Sequence, residues 1–195
     1  MKSEVFPVGL RLSGLRVLVV GKGGPAEERV RALLEAGARV VAVSEAPTEG
    51  LRGLSQRGGV DLHERPFSEG DLTGCMLAVL TDLDPVLAAR MDAATGACST
   101  FFCAVDQPAF GSFSHLAIAR AGDVLVAVST NGRAPALARR LREELERVLA
   151  ASRIVAFVEK LAALRDATPS EDRKRVLGKA VADVRITGEL VLPEE

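Results

Sequence analysis

Gly21-Lys22-Gly23-Gly24-Pro25-Ala26 reads G-x-G-x-x-A, the spacing with which a chain turns from a strand into a helix beside a pyrophosphate. The first glycine permits the tight turn and the second lets backbone N–H groups approach phosphate oxygens. The small sixth residue lets helix and strand pack closely. Further along, Ser44-Glu45-Ala46 closes a second apolar run, where a ribose partner is expected. An acidic residue there suits the free 2′-hydroxyl of NAD, whereas an arginine suits a 2′-phosphate, so NAD is favoured over NADP; either Ser44 or Glu45 is placed to face the ribose. Lys22 either reaches a phosphate or extends into solvent, and a tight turn without a ligand is the other reading of the loop.

The remaining inventory narrows the chemistry. Among 195 residues there is no Tyr, and the only histidines are His63 and His115. A tyrosine-dependent hydride transfer is therefore excluded, and an acid or base is expected to be a carboxylate or a lysine. Cys75, Cys98 and Cys103 are odd in number and form no C-x-x-C pair, so neither a disulfide framework nor a structural zinc site is indicated. The 25 Lys+Arg against 26 Asp+Glu argue against bulk electrostatic binding of nucleic acid or anionic membrane. Residues 1–7 lack an apolar signal core, and no run of ~18 apolar residues is present. The expectation is a soluble, cytoplasmic protein.

The elements that must position these residues follow from periodicity. Residues 15–20 form a short apolar run rich in Val, as in a strand buried on both faces. Helical spacing over 26–36, closed by Gly37, and a second run over 38–43 complete a strand-helix-strand unit. Strands are predicted over 60–64, 76–80 and 101–105, with a helix over 84–94, giving a parallel sheet covered by helices. Beyond Asp106, Pro108 and Gly111 break the pattern, and two strands, 113–118 and 124–128, meet at Gly122-Asp123. Helices are predicted over 133–149, 153–164 and 172–181. The fold class is α/β: a Rossmann-like parallel sheet, then a small β-containing segment, then a helical region. His63 reads as a surface residue of its strand.

These features together resemble the dehydrogenase/ferrochelatase portion of siroheme synthases. The likeness rests on the glycine loop, Phe6-Pro7-Val8, the stretch Leu33 to Val40, Thr81-Asp82, Val105-Asp106, and above all Ser129-Thr130-Asn131-Gly132-Arg133-Ala134-Pro135-Ala136-Leu137-Ala138-Arg139. It covers residues 5–150. The resemblance implies NAD-dependent oxidation of precorrin-2 to sirohydrochlorin, and in bifunctional members insertion of ferrous iron to give siroheme. It implies a homodimer, with an NAD-binding domain over 1–107, dimer contacts over 108–150 and a helical domain over 151–195. The alternatives are a dehydrogenase served by a separate chelatase and a non-catalytic dimeric module binding NAD or tetrapyrrole.

Residue by residue, the resemblance assigns the key carboxylate to Asp106, for proton removal and chelation, against a plain turn-forming aspartate before Gln107-Pro108. It brings Thr81 and Asp82 to the cofactor alongside the glycine loop. It places Ser129, Thr130, Asn131 and Gly132 on substrate carboxylates, with Arg133, Arg139 and Arg140 adding positive charge; simple helix caps are the alternative. Cys103 stands where relatives commonly carry Asn, Asn131 where they carry Gly, and Ser114-His115-Leu116 where an apolar residue precedes Pro. His115 is thus either a metal or propionate partner or a hydrogen-bonded structural histidine, and Cys103 a small buried residue. No resident metal site is expected.

Overall fold

The structure, a computed structural model, describes residues 5–188 and 190–192; residues 1–4, within the stretch read for an export signal, lie outside them. The chain separates into two compact units, Met1–His115 and Leu116–Glu195. In the first, β1 (Arg16–Val20), α1 (Gly23–Glu35), β2 (Arg39–Val43), α2 (Glu49–Gln56), β3 (Val60–His63), β4 (Leu77–Leu80), α3 (Pro85–Cys98) and β5 (Phe101–Ala104) follow in order. All five strands are parallel, and they lie side by side as β3-β2-β1-β4-β5. The order reverses between β1 and β4, whose carboxyl ends meet at Val20 and Leu80.

The short Val-rich runs form central strands because both of their faces are covered. Val17 and Val19 face one apolar layer with Ala26, Val30 and Leu33 of α1. Leu18 and Val20 face the other, with Ala88 and Met91 of α3 and with Phe102 of β5. Pro at the start of α3 and the Asp84 side chain, which accepts from the Val86 and Leu87 N–H groups at 3.0 Å each, fix where that helix begins.

Two elements depart from expectation. α2 was not anticipated, because Glu49–Gln56 holds two glycines and buries only Leu51; its start is set by Thr48, whose hydroxyl accepts from the Leu51 N–H at 3.0 Å. The strand expected over 113–118 begins only at Ala117, since the preceding residues turn back onto β5: Ser112 and Phe113 donate to the Phe102 carbonyl at 2.8 and 3.2 Å.

In the second unit, β6 (Ala117–Ala121) and β7 (Val124–Val128) pair antiparallel, joined through Gly122 at φ +56°. α4 (Pro135–Ala151) packs on both strands, and α5 (Ile154–Ala167) and α6 (Arg173–Ala180) follow. Among the described residues no helix is long and apolar enough to cross a membrane.

Phe102, 1% exposed, fills the layer beneath α3. Phe102→Ala is expected to cost about 3–5 kcal/mol in urea unfolding of the chain. A loss under ~1 kcal/mol would show that this layer does not carry the sheet.

Candidate functional site

The residues of the glycine loop are held at the point where the strand order reverses, and that is where open parallel sheets bind ligands. Gly21 leaves β1 at φ +150°, and a Cβ built there would lie 1.9 Å from Thr81 Oγ1 and 3.0 Å from Asp82 Oδ1. Glycine is therefore required by contact as well as by conformation. The Lys22 N–H donates to Asp82 Oδ1 at 2.8 Å, the Gly21 N–H to the Val43 carbonyl at 3.1 Å and the Gly23 N–H to the Ala46 carbonyl at 3.4 Å. Thr81 and Asp82 thus act on the loop's shape.

These bonds decide which donors remain. Of the N–H groups free of the helix ladder at the start of α1, Lys22 is bonded to Asp82, Gly23 to Ala46 and Pro25 has none, which leaves Gly24 as the open donor at the positive end of the helix. Nothing lies within 4 Å of a Cβ built at Gly24, so an anion has room to approach there.

A cleft of about 220 Å³ opens beside the loop, its lining including Ser44, Glu45, Arg65, Phe67 and Arg90. The choice between Ser44 and Glu45 is divided by the geometry. Ser44 is 3% exposed and its Oγ, buried, has no hydrogen-bond partner. Glu45 is exposed and pairs with Lys22 Nζ at 2.8 Å, which raises the lysine's pKa. A buried hydroxyl without a partner beside a glycine cradle fits a dinucleotide whose ribose supplies the missing partner.

Arg65, Phe67 and Arg90 were missed in the sequence. Arg65 follows directly on β3, whose His63 is level with Val43, so its place at the carboxyl edge was the available signal. Its Nη1 and Nη2 grip Asp71 at 2.9 and 2.5 Å. Burial raises the Asp71 pKa, but Arg65 and the Ser68 N–H outweigh it and hold the carboxyl below its ordinary range. Arg90 lies 5.4 Å over the Phe67 ring and 3.3 Å from Glu69.

Asp106 follows β5 in the left-handed region, φ +57°, with its side chain exposed. The turn is closed by backbone, Gln107 N–H to the Ala104 carbonyl at 3.2 Å, and Gln107 Nε2 donates to the Asp82 carbonyl at 2.9 Å. His115 sits edge-on to Phe113, with its Nδ1 3.3 Å from Arg29 Nη1. Desolvation of the ring and the adjacent guanidinium push its pKa down to about 4, so the imidazole is neutral at pH 7. Cys103 is buried and its thiol pKa is raised by that burial. His63 is partly exposed, 3.3 Å from Asp61.

Ser129, Thr130, Asn131 and Gly132 belong to the second unit. Ser129 Oγ accepts from the Asn131 N–H at 3.1 Å and Thr130 Oγ1 from the Ala134 N–H at 3.1 Å, while Asn131 and Gly132 take φ of +51° and +70°. Their hydroxyls shape the approach to α4. Arg139 and Arg140 are paired with Glu143 and Glu144 along the helix.

A parallel sheet in the order 3-2-1-4-5 with a glycine loop at its reversal defines a dinucleotide-binding α/β unit. The chain belongs to the family whose model is described as "Putative NAD(P)-binding", which matches residues 8–117. A second model, "Sirohaem biosynthesis protein central", matches residues 124–147. The siroheme synthase of Gluconobacter oxydans (strain 621H) is 35% identical over 179 residues, 88% of this chain and 38% of the relative. Siroheme synthase 1 of Aeromonas salmonicida (strain A449) is 40% identical over 147 residues, 75% of this chain and 31% of the relative. The chain spans about a third of the length of these relatives. A solved structure of "SirC, precorrin-2 dehydrogenase" superposes with a TM-score of 0.74 at 21% identity, covering 92% of this chain and 90% of that one, and shows the shared fold. The resemblance to siroheme synthases read from the residues is borne out by these relatives.

Gly21→Ala is expected to lower Tm and weaken dinucleotide binding about tenfold or more, while Gly24→Ala, with open space and an ordinary φ, leaves Tm unchanged. Equal behaviour of the two in thermal melts and calorimetric titration would remove the contact with Thr81 as the cause. Ser44→Ala should leave the free protein as stable or slightly more so, since it deletes an unpaired buried oxygen, yet reduce dinucleotide affinity. Unchanged affinity would take Ser44 out of the site.

Proposed function

We propose that this protein is a precorrin-2 dehydrogenase that uses NAD and yields sirohydrochlorin. The observation that carries the reading is the convergence, on one sheet edge, of a locked glycine loop, an unpartnered Ser44 hydroxyl and the exposed Asp106 carboxylate. The siroheme synthase relatives and the fold shared with the SirC dehydrogenase support the choice of substrate.

Gly24 would meet the pyrophosphate with its N–H group, and Ser44 would face the ribose. When bound, the nicotinamide cofactor supplies the acceptor for the hydride. Aromatising the ring system also releases a proton, and Asp106 is the carboxylate assigned to take it. NAD over NADP is supported by charge: Glu45 stands at the end of β2, and the nearby cations Lys22, Arg65 and Arg90 are each committed to an acid. A homodimer belongs to the same reading, through residues 108–150, where β6 and β7 form a two-stranded ladder with Leu125 exposed. Ferrous iron would enter as a substrate after the oxidation.

Anaerobic incubation with precorrin-2 and NAD is expected to give sirohydrochlorin absorbance without added metal, with NAD preferred to NADP. No product despite NAD binding would leave a dinucleotide-binding module instead, and ferrous iron added afterwards tests insertion. Asp106→Asn should lower turnover about 100-fold or more with NAD affinity intact; unchanged turnover would exclude Asp106 from the proton step.

A further inference from the structure

One cation near the proposed substrate edge is left without an acid. Arg29 lies on α1, one residue before the fully buried Val30, and its side chain is half-buried. Arg31, two positions on, pairs with Glu27 at 2.5 Å, but among the described residues Arg29 has no carboxylate partner. Its Nη1 lies on His115 Nδ1 at 3.3 Å. A guanidinium only donates, so that ring nitrogen must be the acceptor and the imidazole brings no negative charge. Arg29 Nε is buried with no hydrogen-bond partner at all.

The unused edge has a definite shape. Nε and Nη2 together form the side of the guanidinium that takes a carboxylate with two parallel bonds. Arg52 in the same unit shows the arrangement: its Nη1 is on Glu49 at 2.8 Å, while Nε and Nη2 take both oxygens of Glu64 at 3.0 and 2.9 Å. Arg29 has the first half of that pattern and lacks the second. Burial raises the Cys103 thiol pKa, and the positive charge of Arg29 acts against that rise while the negative charge of Asp106 adds to it.

We propose that Arg29 is an anchoring residue for a carboxylate of the tetrapyrrole, held in place by His115 and engaging the ligand through its Nε and Nη2 edge. The inference rests on the dehydrogenase reading, because a polycarboxylate ring bound near Asp106 is what brings the missing acid. On binding, the buried donor that is unsatisfied in the free protein would gain its acceptor.

The test measures sirohydrochlorin binding by absorbance titration, NAD binding by calorimetry, and KM and kcat for precorrin-2, in the wild-type chain, Arg29→Gln and Arg29→Lys. Arg29→Gln is expected to weaken sirohydrochlorin binding and raise KM about tenfold or more, with kcat, NAD affinity and Tm little changed. Arg29→Lys, which keeps charge without the fork, should fall between the two. Equal tetrapyrrole binding in all three proteins overturns the anchor while leaving the dehydrogenase reading intact. Parallel losses of NAD affinity and Tm in both variants also overturn it, in favour of a structural role. A wild-type chain that binds NAD but no tetrapyrrole overturns the dehydrogenase reading and the anchor with it.

Discussion

Asp82 holds together the two halves of the site. Its carboxylate takes the Lys22 N–H and fixes the glycine loop, while its carbonyl takes Gln107 Nε2 and fixes the turn that carries Asp106. Both bonds depend on β4 lying beside β1, in the register Val20 to Leu80. That adjacency in turn depends on Gly21, because any side chain there would occupy the space of Thr81. The glycine loop and a carboxylate some eighty residues further along the chain are therefore placed by one residue at the reversal of strand order. Side chains that set the geometry of a site need not touch its ligand.

β1, β2, β4, β5 and α1 were legible in the sequence because the strands are buried almost throughout and the helix buries one face, and the Gly-rich turn has a stereochemical reason to be where it is. α2 was not legible: its sequence offers one buried leucine and two glycines, and its position comes from packing and from the Thr48 cap. The chain after β5 misled the reading of 113–118, since an apolar run gives no sign that Ser112 and Phe113 will bond back to Phe102. The fold brings Gly21 to Ala26 beside Ser44 to Ala46, with the Gly23 N–H on the Ala46 carbonyl. What the sequence could not distinguish is burial, which separates Ser44, unpaired and covered, from Glu45, exposed and paired with Lys22. Arg29, Arg65 and Arg90 carried no local pattern; only the tertiary fold tells a committed guanidinium from one that lacks an acid.

The charges around the cleft are arranged so that most cations are already neutralised. Arg65 is held through both of its Nη groups by Asp71, whereas Arg90 meets Glu69 through Nε alone. Screening makes an exposed pair such as Arg90 with Glu69 a weak contributor to stability, while the buried Asp71 makes its pair with Arg65 less open to screening. The same logic gives Arg29 its interest, because a cation beside a neutral imidazole has not been offset in this way.

Asp106 adds a conformational argument to the electrostatic one. A non-glycine residue at φ +57° sits in a sparsely populated region, though Asp tolerates it better than most, and such a geometry persists only where neighbours impose it. Here the constraint is visible: Gln107 is tied to Ala104 by its N–H and to Asp82 by its side chain, and Gln107 Oε1 is buried without a partner. A surface turn with no task has little reason to combine left-handed backbone with a buried, half-satisfied amide. The combination directs the Asp106 carboxylate outward from the carboxyl edge of β5 while anchoring its backbone to the loop that would hold the cofactor. Its distance from that loop is then set by the sheet, and in the proposed oxidation, which loses both a hydride and a proton, a carboxylate held in this way would be placed to take the proton.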